Sequence, residues 1–192
     1  MAMDYTKIGS ACAGNWTALE SQETSHWGKP RDFQVPIILT PTLFGSGAES
    51  TTHAVIYRDG VKYSMSFGAT EKMMKVLIPE LSESAEPKAR LYAALDAVSQ
   101  GVETSWAKSA TVSSQAMALQ GLRDVVIGFD DYVEGRATGD RDLYVSGASR
   151  IGESMNDGKT TAPHALSYFL TTHLKMAHGH ACLLYTSDAA DE

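Results

Sequence analysis

The sequence predicts an α/β segment followed by an all-α segment. Two observations predict the α/β part: a short apolar run at residues 35–40, typical of a buried parallel strand, and an alternating pattern on both sides of Asp59-Gly60. A third observation predicts the helical part, because apolar residues recur at helical spacing from Pro87 onward and strand-like runs disappear. We therefore place the boundary between the two parts within residues 82–88.

The α/β part contains a helix, a strand, a hairpin and a further strand. Asp59-Gly60 is a preferred two-residue hairpin turn, which fixes the pairing of the runs beside it. A proline at position 79 closes the last strand, since proline cannot donate a backbone hydrogen bond. The predicted elements are a helix at residues 4–19 and strands at 35–40, 54–57, 61–65 and 75–78.

The all-α part contains four segments of helical periodicity. Pro163 fits the first turn of its helix, where the missing N–H has no consequence. Trp106 and the Met and Leu positions between Met117 and Val126 follow helical spacing, and we expect them to pack in the core. The predicted helices span residues 90–107, 113–132, 142–155 and 163–174.

Composition limits the class of protein. The 192 residues include 43% hydrophobic ones, enough to bury a core, and the net charge of −7 argues against nucleic acid or an anionic membrane as the main partner. No apolar run reaches the length of a membrane span. The two cysteines, Cys12 and Cys182, lack metal-type spacing, so we expect a reduced, cytoplasmic protein.

A loop rich in small and hydroxyl residues follows the first strand at residues 41–50. Such a turn after a strand is where α/β sheets commonly bind phosphates, because backbone N–H groups point outward there. The loop lacks the third glycine of the dinucleotide fingerprint, so a plain loop is the favoured alternative. Lys62 projects from the second hairpin strand and is a further candidate for a functional residue. The alternative is an ordinary solvated lysine.

Candidate metal ligands occur in two places along the chain. His164 and Tyr168 are four residues apart, and His178 follows after a turn; Asp96 and Gln100 show the same spacing earlier. Together they make a candidate site of one carboxylate and two imidazoles, with the Gln100 amide oxygen as a weak fourth ligand. The alternative is that each histidine is an ordinary surface or core residue.

These motifs resemble the successive signatures of the iron-containing (group III) alcohol dehydrogenase family. The resemblance rests on the 41–50 loop, on Leu95-Asp96-Ala97 with Glu103, and on His164 with His178-Gly179, and it covers residues 1–181. Residues 160–168 and 178–181 are most similar to its hydroxyethylphosphonate dehydrogenase (phosphonoacetaldehyde reductase) branch.

The resemblance implies a dehydroquinate synthase-like fold. Residues 1–84 then correspond to part of a nucleotide-binding α/β domain, and residues 85–181 to part of a helical metal-binding domain. A nucleotide-binding half is expected before Met1 and further helices after Ala181, so that the chain is truncated at both ends. Residues 182–192 resemble a translated sequencing-library adapter, and we expect this tail to be an artefact.

The resemblance also assigns roles to residues. Most family members have histidine where this chain has Gln100, which puts the affinity for Fe²⁺ or Zn²⁺ in question. Tyr168 stands where many relatives have a histidine near the nicotinamide, in a catalytic proton relay. The implied metal ligands are Asp96, Gln100, His164 and His178, and the implied NAD or NADP contacts are Thr42, Ser46, Lys62 and Asp4.

The implied activity is NAD(P)-dependent, metal-assisted reduction of a small aldehyde, with phosphonoacetaldehyde giving 2-hydroxyethylphosphonate as the candidate reaction. His53 and His180 are candidates for binding the phosphonate, with a structural role equally favoured. The resemblance implies a homo-oligomer. Two alternatives stay open: a non-catalytic fragment of such an enzyme, and a non-redox protein of the dehydroquinate synthase-like fold.

Overall fold

After an N-terminal helix, the strands precede the remaining helices along the chain, as the sequence predicts. The computed structural model describes residues 2–11, 33–58, 61–68 and 71–190. In chain order the elements are α1 (Ala2–Ala11), β1 (Ile37–Leu39), β2 (His53–Arg58), β3 (Val61–Ser66), β4 (Met73–Lys75), a 3₁₀ turn (Pro79–Ser82), α2 (Pro87–Trp106), α3 (Val112–Glu134), α4 (Gly139–Ser154), α5 (Ala162–His173) and α6 (His178–Ala190). The predicted fold class, α/β followed by all-α, is confirmed.

The strands form two separate pairs. β1 and β4 are parallel, with Ile37 opposite Met73. β2 and β3 are antiparallel, with Ala54 opposite Met65. The predicted hairpin is therefore confirmed, although its turn residues 59–60 lie outside the described residues.

The strand expected at residues 75–78 is misplaced, because β4 spans Met73–Lys75. β1 offers only three residues for pairing, and the Val76 N–H makes one further bond to the Leu39 carbonyl at 3.0 Å. The helix expected at residues 4–19 is observed as α1 over Ala2–Ala11, and residues 12–32 lie outside the described part of the chain.

One hydrophobic cluster joins α1 to the strands. Phe33 and Phe67 stack with ring centroids 4.8 Å apart, and Ile8 of α1 packs in the same cluster. Within β1, Leu39 is buried whereas Ile38 is 64% exposed, which is the two-residue alternation of a strand with one packed face. α1 therefore covers one face of the β1–β4 pair.

A second cluster lies among α2, α3 and α4, and small residues determine its geometry. A Cβ atom added to Gly128 of α3 would lie 2.0 Å from the Asp140 carbonyl oxygen, and one added to Gly121 would lie 2.7 Å from the Gly147 oxygen. The two helices thus touch through their backbones at these glycines, and the rings of Tyr132 and Tyr144 stack in the same cluster with centroids 3.9 Å apart.

The large residues expected in this core are found there only in part, since Leu122 packs against it but others are exposed. Trp106 is 45% exposed, Leu119 is 56% exposed and Val126 is 62% exposed. The prediction was wrong for Trp106 and Leu119. The buried stripe of α3 combines small residues such as Ala118 and Gly121 with Val125 and Tyr132, and Leu119 lies on another face of the helix. None of the helices in the described ranges has the length and apolar character required to cross a bilayer.

The loop after β1 is held tightly against the helices. The Phe44 N–H donates to the Tyr132 hydroxyl at 2.9 Å, and the Tyr144 hydroxyl donates to the Phe44 carbonyl at 2.7 Å. A Cβ atom on Gly45 would lie 2.4 Å from the Ala93 carbonyl of α2. The α/β part is thereby fixed against α2, three residues before Asp96.

Candidate metal centre

Three helices bring the predicted carboxylate and imidazoles together. Asp96 lies on α2, His164 in the first turn of α5, and His178 at the first residue of α6. One ligand atom from each of these residues and from Cys182 lies within 4.8 Å of the others. His164 Nε2 is 3.5 Å from Asp96 Oδ1, and the two imidazole centroids are 5.1 Å apart. The metal-binding role of these residues stays a prediction.

Two buried oxygen atoms on α2 support a cation at this position. Asp96 is 6% exposed and Gln100 is 4% exposed, and neither Asp96 Oδ1 nor Gln100 Oε1 has a hydrogen-bond partner among the described residues. The 3.5 Å contact to His164 is an ion-pair distance without hydrogen-bond geometry. A buried oxygen without a partner costs about 1–3 kcal/mol, a penalty that a divalent cation removes. The donor set of two oxygens and two imidazoles fits Fe²⁺ or Zn²⁺.

A glycine allows the third ligand to approach. A Cβ atom on Gly179 would lie 1.9 Å from the Tyr92 carbonyl oxygen and 2.9 Å from the Asp96 amide nitrogen. Only a residue without a side chain lets the start of α6 lie this close to α2. The His178-Gly179 pair thus places an imidazole beside Asp96, a role for Gly179 that was not predicted from the sequence.

Glu103 is a further member of the site. Its carboxylate is fully buried, and Oε1 lies 3.1 Å from His164 Nδ1. Its Oε2 accepts from Thr161 N at 2.7 Å, Thr161 Oγ1 at 3.0 Å and His164 N at 3.4 Å. No role in metal binding was predicted for Glu103 from the sequence. The available signal was its spacing, because Asp96, Gln100 and Glu103 occupy positions i, i+4 and i+7 on one helix face.

The buried charges in the site stabilise one another. Burial alone would raise the pKa of Glu103, but the hydrogen bonds and charge of His164 and the bonds from Thr161 hold it below its usual value. Burial alone would lower the pKa of His164, but hydrogen bonds to Cys182 and Glu103 and the nearby Asp96 charge raise it to about 10. A metal ion must therefore displace a proton from this imidazole, which makes binding depend on pH.

Cys182, for which the sequence predicts no role, also reaches the cluster. Its Sγ lies 3.6 Å from both His164 Nε2 and His178 Nε2. A thiolate is a good zinc ligand. Because residues 182–192 are expected to be an artefact, Asp96, Gln100, His164 and His178 are the candidate ligands that matter.

Tyr168, the predicted catalytic residue, lies beside the cluster. It is half-buried on α5, one turn after His164, and its ring stacks on His178 with centroids 5.9 Å apart and planes 14° apart. This position is compatible with a phenol acting close to the metal. Its catalytic role stays a prediction.

The predicted cofactor residues lie in the α/β part. Thr42 and Ser46 are exposed on the loop that Phe44 anchors to the helices. Asp4 Oδ1 accepts a hydrogen bond from the Val55 N–H at 3.0 Å, which ties α1 to β2. The backbone of Lys62 lies in β3, but its side chain is outside the described part. Cofactor binding by these residues stays a prediction.

The two histidines considered for phosphonate binding lie in different parts of the fold. The His53 carbonyl, at the start of β2, accepts a bond from Lys7 Nζ at 2.7 Å. His180, on α6, is exposed and stacks on Tyr92 with centroids 6.0 Å apart. His180 therefore lies close to the metal helices, whereas His53 belongs to the hairpin.

Comparison with known sequences identifies relatives that are oxidoreductases. No protein-family model matches the chain. The chain is 32% identical over 188 residues to phosphonoacetaldehyde reductase of Streptomyces viridochromogenes, covering 93% of this chain and 44% of that protein. It is 26% identical over 153 residues to NAD-dependent methanol dehydrogenase of Bacillus methanolicus, covering 76% of this chain and 39% of that protein.

Solved structures share the fold over nearly the whole chain. Sulfoacetaldehyde reductase from Bifidobacterium kashiwanohense, in complex with NAD⁺, superposes with a TM-score of 0.86 at 26% identity, covering 99% of this chain and 51% of that one. An iron-containing alcohol dehydrogenase from Thermotoga maritima has a TM-score of 0.78 at 24% identity, covering 94% and 49%. The chain thus spans about half the length of the relatives it matches.

Proposed function

Because the chain belongs to the iron-containing alcohol dehydrogenase family, we propose that its protein transfers a hydride between a nicotinamide cofactor and a small aldehyde with the help of a metal ion. The observation that best supports this proposal is the meeting of Asp96, His164 and His178 beside two buried oxygens without hydrogen-bond partners. The full protein is the object of the proposal, since the chain spans about half the length of its relatives.

The residues of the centre hold a cation and exclude water. Asp96 supplies negative charge, the two imidazoles supply neutral nitrogen donors, and Gln100 supplies a neutral oxygen. Fe²⁺ or Zn²⁺ would supply Lewis-acid stabilisation of the negative charge on the carbonyl oxygen, and NAD(P)H would supply the hydride. Burial of Asp96, Gln100 and His164 lowers the local dielectric constant, which strengthens each of these electrostatic interactions.

The remaining predicted residues act around this centre. In the proposal Tyr168, stacked on His178, delivers the proton to the alkoxide. Thr42, Ser46, Lys62 and Asp4 bind the nicotinamide cofactor, and the anchoring of Phe44 by two tyrosines keeps the loop of Thr42 and Ser46 at a fixed distance from α2.

The substrate class in this proposal is a two-carbon aldehyde that carries a tetrahedral anion. Two relatives are named for such substrates, phosphonoacetaldehyde and sulfoacetaldehyde. The aldehyde is common to both, and the phosphonate or sulfonate is the distinguishing group. We include in the proposal a domain boundary at residues 84/85, a homo-oligomeric parent protein in the cytoplasm, and a non-native origin for residues 182–192.

The test is an assay of the complete reading frame, recovered from genomic DNA. NAD(P)H oxidation is followed with phosphonoacetaldehyde, sulfoacetaldehyde and the neutral control propanal, with Fe²⁺, Zn²⁺ or a chelator. We expect turnover to require a metal and Asp96→Asn to lower kcat/KM by at least about 100-fold. Turnover that survives both chelation and Asp96→Asn would contradict the reaction. Equal kcat/KM for propanal would contradict only the substrate class.

A further inference from the structure

We infer that Glu103 is a positioning residue, which holds the Nδ1 proton of His164 so that Nε2 is the atom available to the metal. This inference rests on the proposed metal centre and names a residue beyond the predicted ligands. The first observation that supports it is burial. Glu103 lies on α2, and its side chain is fully buried and contacts His164 at the start of α5.

Every group that lies within hydrogen-bond distance of the Glu103 carboxylate is able to donate a hydrogen bond to it. One oxygen accepts from Thr161 N, Thr161 Oγ1 and His164 N, and the other faces His164 Nδ1 at 3.1 Å. Thr186 Oγ1 of the tail also donates to it, at 3.1 Å. A carboxylate that receives this many donors is ionised and carries no proton of its own, so the proton shared with His164 resides on Nδ1.

The position of that proton determines which nitrogen binds the metal. A neutral imidazole carries one N–H, so a proton on Nδ1 leaves the lone pair on Nε2. Nε2 is the atom that lies 3.5 Å from Asp96 Oδ1, inside the candidate centre. The order carboxylate, imidazole and metal is the usual way in which a protein fixes the ring of a ligating histidine.

The same carboxylate also sets the position of α5. The N-cap residue of α5, Thr161, makes no capping bond with its own side chain. Glu103 supplies the missing acceptor for the Thr161 and His164 backbone N–H groups. The first turn of α5 is thus attached to α2 seven residues after Asp96, which fixes the separation of the two ligands.

Glu103→Gln separates this role from simple packing, because glutamine has the same shape but only one acceptor oxygen. If that oxygen accepts from Nδ1, the amide N–H₂ group faces the donors of Thr161. If it accepts from Thr161, the amide donates to Nδ1 and moves the imidazole proton to Nε2, which abolishes metal binding through that nitrogen. Glu49→Gln is the matched control, because Glu49 is 4% exposed and lies outside the centre.

The measurements are made on the full chain with Cys182→Ser as the common background, which removes the thiol from the comparison. The Zn²⁺ dissociation constant is measured by chelator competition, and histidine ¹⁵N spectra are recorded with ¹¹³Cd²⁺ bound. We expect ¹¹³Cd coupling to Nε2 of His164 with a retained Nδ1 proton. We expect Glu103→Gln to weaken Zn²⁺ binding by about 10–100-fold and Glu49→Gln to leave it unchanged.

Two results overturn the inference. One is cadmium coupling to Nδ1 of His164 in the chain that carries only Cys182→Ser, which decides the question even if Glu103→Gln does not fold. The other is a folded Glu103→Gln protein with unchanged Zn²⁺ affinity. Absence of any metal binding is a different result, because it refutes the proposed centre and, with it, the role given to Glu103.

Discussion

Gly179→Ala tests whether the close contact between α6 and α2 sets the metal geometry. The added Cβ would lie 1.9 Å from the Tyr92 carbonyl oxygen and 3.0 Å from the Asp96 Cβ. Real Cβ contacts do not fall below 3.0 Å, so the start of α6 must move by about 1 Å. His178 is the preceding residue and moves with it.

A shift of this size exceeds the tolerance of a metal site. Metal–ligand distances lie within about 0.2 Å of their usual values, and misplacement by about 1 Å typically costs about 100-fold in a positioned reaction. We therefore expect Gly179→Ala to weaken Zn²⁺ binding by about 100-fold. Overpacking should lower the free energy of unfolding by about 1–3 kcal/mol.

The assay is chelator competition for Zn²⁺ together with urea unfolding. Gly139→Ala is the matched control, because Gly139 also lies in the first turn of a helix and an added Cβ there meets nothing within 4 Å. The control should keep the affinity of the unsubstituted chain. A Gly179→Ala protein with unchanged Zn²⁺ affinity would show that this contact does not determine where His178 lies.

Three further predictions concern other contacts. Tyr144→Phe removes the donor to the buried Phe44 carbonyl and should lower the free energy of urea unfolding by about 1–3 kcal/mol. Tyr5→Phe is the control, because Tyr5 is exposed, and an equal loss in this control would contradict the prediction. Burial lowers the pKa of Lys7 from 10.5 to about 8, against the opposing charges of Asp4 and Glu49, so its protonation below pH 8 opposes folding. Stability relative to Lys7→Met should therefore rise between pH 8 and 10.5 by up to about 3 kcal/mol, and a falling difference would refute the assignment. Gln100→His should tighten Zn²⁺ binding in the competition assay, because imidazole is a better donor than an amide oxygen, and weaker binding would argue against a ligand at this position.

Local patterns account for what the sequence predicted well. Helical periodicity and the Asp59-Gly60 turn act over a few residues, so the order of strands and helices could be predicted from them. The same applies to Asp96 with Gln100, whose i, i+4 spacing places both on one face of α2. Residue spacing made the meeting of α2 with α5 and α6 one candidate, with ordinary histidines as the alternative, and the family resemblance implied the same ligands.

Packing between backbones accounts for what the sequence did not predict. Leu119 was expected in the core, but glycines on α3 and α4 bring the backbones of those helices into contact, and the large side chains of the cluster include Tyr132 and Tyr144 instead. Glu103 and Gly179 have roles that appear only when separate helices meet, since each acts on a residue of another helix. A single sequence shows neither the separation of two helices nor the direction of a buried carboxylate.

The most direct test of the central claim is an anomalous difference map from crystals grown with Zn²⁺, for the chain and its Cys182→Ser variant. We expect one ion per chain in both, with Asp96, His164 and His178 at about 2.0–2.2 Å and Gln100 Oε1 as the fourth protein ligand. An ion bound elsewhere, or lost when Cys182 is replaced, would contradict the proposed centre.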